Sequence, residues 1–260
     1  MKLVLAPGDV AAIERATVEA VAPDRVVQLP GWLLPMDPGT IGRARSAVPL
    51  VHAQGTEQQA QVRQLPAIVA KYRAEGYAPA FRLPASAQAL HEALGAMGFQ
   101  GVEPSLVMAG PVDDLACVVP ESVQAGAGGV DVSTVPSDGW KALFLGEGMD
   151  PVDGTARVRN LSRAPHTLYV SWQEGGDTLA CGAASFGQGW LGVHGMRTAL
   201  AQRGRGLAGQ VLRAMALQAR LRGIDRVFLQ VGGANSAAQS LYRRAGLGVA
   251  WDYAYWKPLA

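Results

Sequence analysis

The chain has 260 residues, 49% hydrophobic and 17% charged, with 23 Lys and Arg against 21 Asp and Glu. A net charge of +2 is too slight to coat a polyanion, which needs many cations gathered on one face. The length allows one large domain or two of common size, and 32 Gly and 16 Pro scattered without a period exclude collagen-like and low-complexity classes.

Cys117 and Cys181 cannot make a disulfide framework, and neither they nor His52, His91, His166 and His194 show metal-ligand spacing. No metal site is expected. No apolar stretch approaches the ~20 residues that span a bilayer, and the opening apolar run breaks at Ala6-Pro7-Gly8, too early for a secretory segment. Nucleic acid and membrane are not expected partners, and the cytoplasm is the expected compartment. The oligomeric state stays open, a homodimer included.

In chain order, Thr56–Glu75 reads as a long helix that Pro66 should break or kink. A strand at Phe81-Arg82-Leu83 and a helix over Ser86–Met97, closed by Gly98, follow. Gly110-Pro111-Val112-Asp113-Asp114 and Gln124–Gly129 read as a linker, too small and polar to order themselves. This divides the chain into residues 1–110, a linker over 111–129, and 130–260. Beyond it, a helix near Val152–Leu161 precedes strands at His166–Gln173 and Thr178–Phe186, joined by the hairpin turn Gly175-Gly176-Asp177. A strand from Trp190 then enters the loop Gln202–Gly206, and Leu207, Val211, Leu212, Met215 and Ala219 follow at helical spacing. Arg226–Val231 is a buried-type strand, Asn235 caps a short helix ended by Gly246, and Leu247–Trp256 is strand-like.

The halves echo each other. A shift of 148 residues carries Leu229-Gln230-Val231 onto Phe81-Arg82-Leu83 and Gly246 onto Gly98. Two related units in one chain are the expected consequence.

The strongest chemical signal is Arg203-Gly204-Arg205-Gly206-Leu207-Ala208, between strand and helix. Glycines admit close approach of a ligand to the backbone, and free N–H groups at a helix start favour an anion. Two arginines add forked donors for phosphate oxygens. The same stretch satisfies Gly-x-Gly-x-x-Gly through Gly209, but a dinucleotide fold needs an acid at the end of the next strand. That strand ends in Val231-Gly232-Gly233, and the preceding hairpin implies antiparallel strands. NAD binding is rejected.

Arg203-x-x-Gly206-x-Ala208 after one strand, then Asn235…Leu241-Tyr242-x-x-x-Gly246 after the next, resembles the GCN5-related N-acetyltransferases. The likeness covers about residues 130–257. More loosely, Gly31–Leu34 and Ser105–Met108 are similar to the degenerate leading module of two-module bacterial members. The resemblance implies an α/β fold of α+β type: two tandem modules, each a mixed central sheet with splayed strands flanked by helices. It implies an acetyltransferase using acetyl-CoA as cosubstrate and an amine, small or an amino terminus, as acceptor. A non-catalytic CoA-binding or protein-interaction module, and acyl transfer to a thiol or hydroxyl, are the alternatives.

Carried over, Met196, Arg197 and Thr198 would pair their backbone with the pantetheine amides, and Met196 N–H would hold the oxyanion. Arg203, Gly204, Arg205, Gly206, Leu207 and Ala208 would cradle the pyrophosphate. Asn235 would shape the pantetheine slot, and Tyr242 would lie near the thioester sulfur. A phenol at pKa ~10 is a weaker acid than a thiol at ~8.5, so hydrogen bonding to the departing thiolate suits Tyr242 better than full proton transfer. No dedicated base is evident: Gly232 stands where related chains often have an acid, and Glu174 and Asp177 are turn residues. His194 and Trp32 are candidates for lining the acceptor site, with Arg43 and Arg45 beside Trp32. The first half offers Gly55–Ala60 for the phosphate loop, Leu94 for Tyr242 and Ala87 for Asn235, so a single acetyl-CoA site is expected.

Overall fold

The computed structural model describes residues 5, 6, 8–118 and 128–259. Its strands are built on side-chain alternation. β7 (Thr167–Glu174) turns Leu168, Val170 and Trp172 to one face and Tyr169 to the other. β10 (Arg226–Gly232) separates Val227, Leu229 and Val231 from Phe228 in the same way. Strands apolar on both faces belong in a sheet covered on both sides.

The other strands are β1 (Arg25–Leu29), β2 (Trp32–Met36), β3 (Val48–Pro49), β4 (Phe81–Pro84), β5 (Phe99–Pro111), β6 (Gly129–Ser133), β8 (Asp177–Gly187), β9 (Trp190–Thr198) and β11 (Gly248–Pro258). Eight of the strands make one sheet, ordered β4-β11-β5-β10-β9-β8-β7-β6. All its neighbours are antiparallel except β9 and β10. β1, β2 and β3 form a small antiparallel sheet, and a parallel bridge from Ala47 to Phe81 ties it to β4.

Helices cover the sheet. α7 (Leu207–Arg220) buries Val211, Leu212, Met215, Ala216 and Ala219 against one face. α1 (Asp9–Ala20) sets Ile13 and Ala16 against Trp190, Phe228 and Trp251 on the other. α5 (Asp138–Ala142) and α6 (Pro151–Ser162) close over Tyr169, Cys181 and Ala183. α6 starts where local chemistry directs: the Asp150 carboxylate accepts from Asp153 N at 2.7 Å, and Pro151 occupies the first turn. α2 (Gly55–Ala74) and α3 (Gln88–Ala96) pack Leu65, Ile68, Tyr72, Leu90 and Leu94 against β2 and β4. No helix among the described residues is long and apolar enough to cross a membrane.

The echo is structural. The same shift of 148 carries α3 onto α8 (Ser236–Arg244), and Gly98 and Gly246 both take left-handed φ, +81° and +79°. It also carries the pair Pro84–Tyr253 onto Gly232–Ser105. The final strands are therefore exchanged. β5 follows α3 but pairs with β10, and β11 follows α8 but pairs with β4, while β5 and β11 pair with each other. Residues 1–110 and 130–260 thus contribute to a single sheet.

Two expectations are corrected. α2 runs unbroken through Pro66, which lies on its exposed face, so the ring meets solvent and not the core. Gly110–Asp114 is not linker but the end of β5 and the start of α4 (Val112–Ala116), because Val112 and Leu115 are wholly buried against α7. Most of the remaining linker segment, residues 119–127, lies outside the described residues.

Asp37 clamps the N-terminal part to α6. Its buried carboxylate accepts from Arg159 Nη2 at 2.5 Å, Arg163 Nη2 at 2.8 Å and Asn160 Nδ2 at 3.2 Å. Removing the acid leaves two guanidiniums and an amide facing one another. Asp37→Ala should lower unfolding stability by ~3 kcal/mol in a urea titration, and a loss under ~1 kcal/mol would show that the clamp is dispensable.

Candidate active site

The site begins where one strand pair stops. β9 and β10 are registered at Leu191–Val227, Gly192–Phe228 and Val193–Leu229, and their pairing ends there. Beyond that point β9 stays with β8 as far as Thr198, and β10 stays with β5 as far as Gly232. Each strand is held by its outer neighbour, so a wedge opens between them.

A bulge shapes the β9 side. The β8–β9 register slips between Cys181–Arg197 and Ala183–His194, which places one extra residue on β9 at Gly195–Met196. Gly195 has φ +59°, and a Cβ there would lie 2.8 Å from Leu161 Cδ1, so only glycine fits. The bulge leaves one residue of β9 outside the ladder at Gly195–Met196, and Met196 lines the cleft described next.

A cleft of about 610 Å³ opens along the freed end of β9. Its wall combines Met196, Arg197 and Thr198 of β9, Arg203, Gly204, Gly206, Leu207 and Ala208 of the loop and α7, and Asn235 and Tyr242 at α8. Gly204 and Gly206 take φ +81° and +78° with open space beside them, and Gly206 is the residue before α7. The first N–H groups of α7 have no intrahelical acceptor and present a partial positive charge to this cleft.

Most of the proposed cofactor residues meet here, with two adjustments. Arg205 turns its side chain away, donating from Nη2 to Glu174 Oε2 at 2.7 Å and from Nη1 to Gln202. Asn235 lines the cleft but also caps α8, its Oδ1 accepting from Ala238 N at 3.1 Å. Tyr242 is buried, and that burial pushes its phenol up to about 12 despite the Arg197 charge nearby. It therefore keeps its proton at neutral pH and can donate a hydrogen bond.

Val118, Gln202, Gly209, Ala237, Ala238, Leu241 and Arg244 complete the wall. Helical spacing from Asn235 and Tyr242 points to Ala238 and Leu241. Val118 comes from beyond α4, and nothing in the sequence signals it.

A second cavity, about 370 Å³ and mainly polar, lies beside the end of β10. Gln230 lines it, on the strand face opposite Leu229 and Val231 and therefore opposite α7. Thr40 and Arg43 come from the loop after β2, Glu103 and Ser105 from β5, Asp153 and Arg157 from α6, and Tyr253 and Tyr255 from β11. Burial works to raise the Asp153 carboxyl, but bonds from Arg157 Nε at 2.6 Å and Thr40 Oγ1 at 2.8 Å outweigh it and hold it low. Glu103 pairs with Lys257 Nζ at 2.7 Å and has φ +53°, a conformation few non-glycine residues adopt.

Both acceptor-site candidates from the sequence are corrected. Trp32 is wholly buried among the residues that pack α2 and α3 on β4, edge-on to Phe81, with Nε1 donating to Gln64 Oε1 at 2.7 Å. His194 is 2% exposed, bonded through Nε2 to Ser185 Oγ at 2.9 Å and edge-on to Phe228. It faces the interior because it precedes the bulge and points away from the cleft. Arg45 donates to the Gly39 carbonyl at 3.0 Å and does not line this cavity. Among the described residues no group of three His, Cys, Asp or Glu is placed to hold a metal ion.

Burial, helped by the Arg43 charge, pushes His194 down to about 3, and burial with Arg82 pushes His52 to about 4. Both are neutral in the fold at pH 7. Their unfolded value is near 6.5, so acid protonates the unfolded chain first. Stability is whole above pH 6.5 and declines as pH falls from 6.5 toward 3. Urea unfolding at pH 7 and pH 5 should show His194→Gln losing less on acidification than the parent, and an equal loss would overturn the assignment.

Residues 8–256 match the family described as "Probable histone acetyltransferase Rv0428c C-terminal". No curated protein sequence matches the chain. Among solved structures it is similar to a GCN5-related N-acetyltransferase from Kribbella flavida, with 20% identity, TM-score 0.71, and 98% of this chain and 97% of that one covered. A GCN5-related N-acetyltransferase from Sphaerobacter thermophilus aligns at 19% identity and TM-score 0.54 over 83% of this chain and 74% of that one. A tandem protein of the same class from the clavulanic acid biosynthesis pathway aligns at 12% identity and TM-score 0.58 over 97% and 96%. At these identities the structures attest the fold, and the match along nearly the whole chain attests the family. The chain belongs to the acetyltransferase family of that description, and its fold is that of the GCN5-related N-acetyltransferases.

Proposed function

We propose that the chain transfers an acetyl group from acetyl-CoA to an amine by direct attack in a ternary complex. One observation carries this: where β9 and β10 part, a glycine-rich helix start and a buried tyrosine line one cleft, and a polar cavity lies beside the end of β10. A thioester laid in the wedge meets an acceptor arriving from the opposite face, so the two reactants are aligned before reaction.

Each residue supplies one part of the chemistry. The N–H groups of Gly204 to Ala208 and the Arg203 side chain hold the pyrophosphate. The β9 edge from Met196 to Thr198 offers backbone groups to the pantetheine amides, and the Met196 N–H donates to the developing oxyanion. Tyr242 donates its hydroxyl hydrogen to the departing thiolate without releasing it, as its raised pKa requires.

Residues 130–260 carry this machinery, and residues 1–110 are a degenerate module; of the stretch between them, Pro111 to Ala116 belong to β5 and α4. In support, the first half opens α2 with Gly55 and Glu57 where the second half has arginine, and it has Ala87 and Leu94 in place of Asn235 and Tyr242. The division is one of chemistry, since the sheet is shared. A reducing cytoplasmic setting suits Cys117 and Cys181, both free.

Calorimetric titration with acetyl-CoA should give one site per chain and no heat with NAD. Two sites would refute the degenerate first module, and none would favour an interaction module. Arg203→Ala should weaken acetyl-CoA at least ~10-fold, the loss of one charged hydrogen bond, whereas Arg205→Ala should cost less because that side chain serves Glu174. Tyr242→Phe should lower kcat by about 10–100-fold with acetyl-CoA affinity nearly kept. Full transfer by that variant would remove Tyr242 from the mechanism.

A further inference from the structure

Among the described residues, the polar cavity beside β10 contains one cation with no acid to answer it. Arg43 donates from Nη1 to Gln230 Oε1 at 2.7 Å, and Gln230 passes its own Nε2 hydrogen to Thr17 Oγ1 at 2.7 Å. Its other donors have no acceptor among the described residues. Every neighbouring charge is already matched: Arg157 by Asp153 at 2.6 Å, Lys257 by Glu103 at 2.7 Å, and Arg82 by the buried Glu14. Burial depresses Arg43, and the Arg157 and Arg82 charges add to this, while Tyr255 and Tyr253 oppose it. A half-buried guanidinium among like charges is stabilised most by an incoming anion, and its forked donors suit two oxygens of one group.

We infer that the acceptor is a small amine that also carries a carboxylate or phosphate, with Arg43 holding the anion and the amine directed to the β9–β10 gap. This rests on the acetyltransferase reading above. The cavity, about 370 Å³, is of small-metabolite size. A lysine-rich peptide would set its charges against Arg43 and Arg157 and find only carboxylates already paired. The guanidinium comes from the N-terminal part of the chain and the reacting residues from the C-terminal part. The degenerate half therefore selects the acceptor while the other half carries out the transfer.

The test uses the full chain with acetyl-CoA and follows release of the CoA thiol. Acceptors are amino carboxylates, aminoalkyl phosphates, the methyl esters of the carboxylates, and a lysine-rich peptide. The anionic amines should exceed their esters in kcat/KM by ~10-fold or more, and the stronger of the two anionic classes identifies the anion. Arg43→Gln should raise KM for anionic acceptors by ~10-fold with kcat within a few-fold, and Arg43→Lys should recover part of the loss. Arg45→Gln, outside the cavity, should leave KM unchanged. Equal use of esters and free acids, preference for the lysine-rich peptide, or an unchanged KM in Arg43→Gln would each overturn the inference. If no acceptor is turned over, an amino carboxylate is titrated into the desulfo-CoA complex, where absence of heat also overturns it. Failure of acetyl-CoA itself to bind would instead strike at the acetyltransferase reading.

Discussion

The exchange of β5 and β11 is the constraint on which the rest of the molecule depends. β5 lies between β10 and β11 and is paired to both, with Gly232 opposite Ser105 on one edge and Gly248 opposite Ala109 on the other. Without β5 the outer edge of β10 would have no backbone partner, and an unpaired buried strand edge is costly. Neither half of the sequence can therefore complete its sheet alone. The buried Glu14–Arg82 pair and the Asp37 clamp then tie α1 to β4 and the N-terminal part to α6.

That arrangement explains why the wedge is stable. β10 can leave β9 after Leu229 because β5 holds its other edge along its whole length. β9 in turn is held by β8, and the bulge at Gly195 shifts the register without ending that pairing. A splayed pair inside a sheet exposes N–H and C=O groups that would otherwise be a liability. Here they face a cleft suited to a ligand that can satisfy them.

Charge is divided across the sheet. On the α7 face, Arg203 and the helix N-terminus meet in a cleft whose wall bears no carboxylate among the described residues. On the other face, acids and bases are interleaved: among the described residues that line the cavity, Asp153 and Arg157 pair with each other, Glu103 pairs with Lys257 outside the lining, and Arg43 has no ionic partner. One face gathers positive charge, and the other mixes charges of both signs.

Local chemistry was legible in the sequence. Gly204 and Gly206, the Asn235 cap, the Gly175–Gly176 hairpin and the Gly98/Gly246 echo depend on backbone conformations that neighbouring residues dictate, and each occupies its expected place. The family resemblance added Met196 and Tyr242 through the same short stretches. Side-chain direction was not legible. Arg205 turns to Glu174, thirty-one residues earlier in the chain, His194 turns inward ahead of a bulge, and Trp32 is enclosed by helices that follow it. The polar cavity draws on five separated segments, from Thr40 to Tyr255, and no short window contains it. The sequence by itself determined which backbone could bend and which helix start could hold an anion, because those are properties of adjacent residues. Only the tertiary structure decided which charges are left unmatched, because pairing depends on what the exchanged strands bring within a few ångströms.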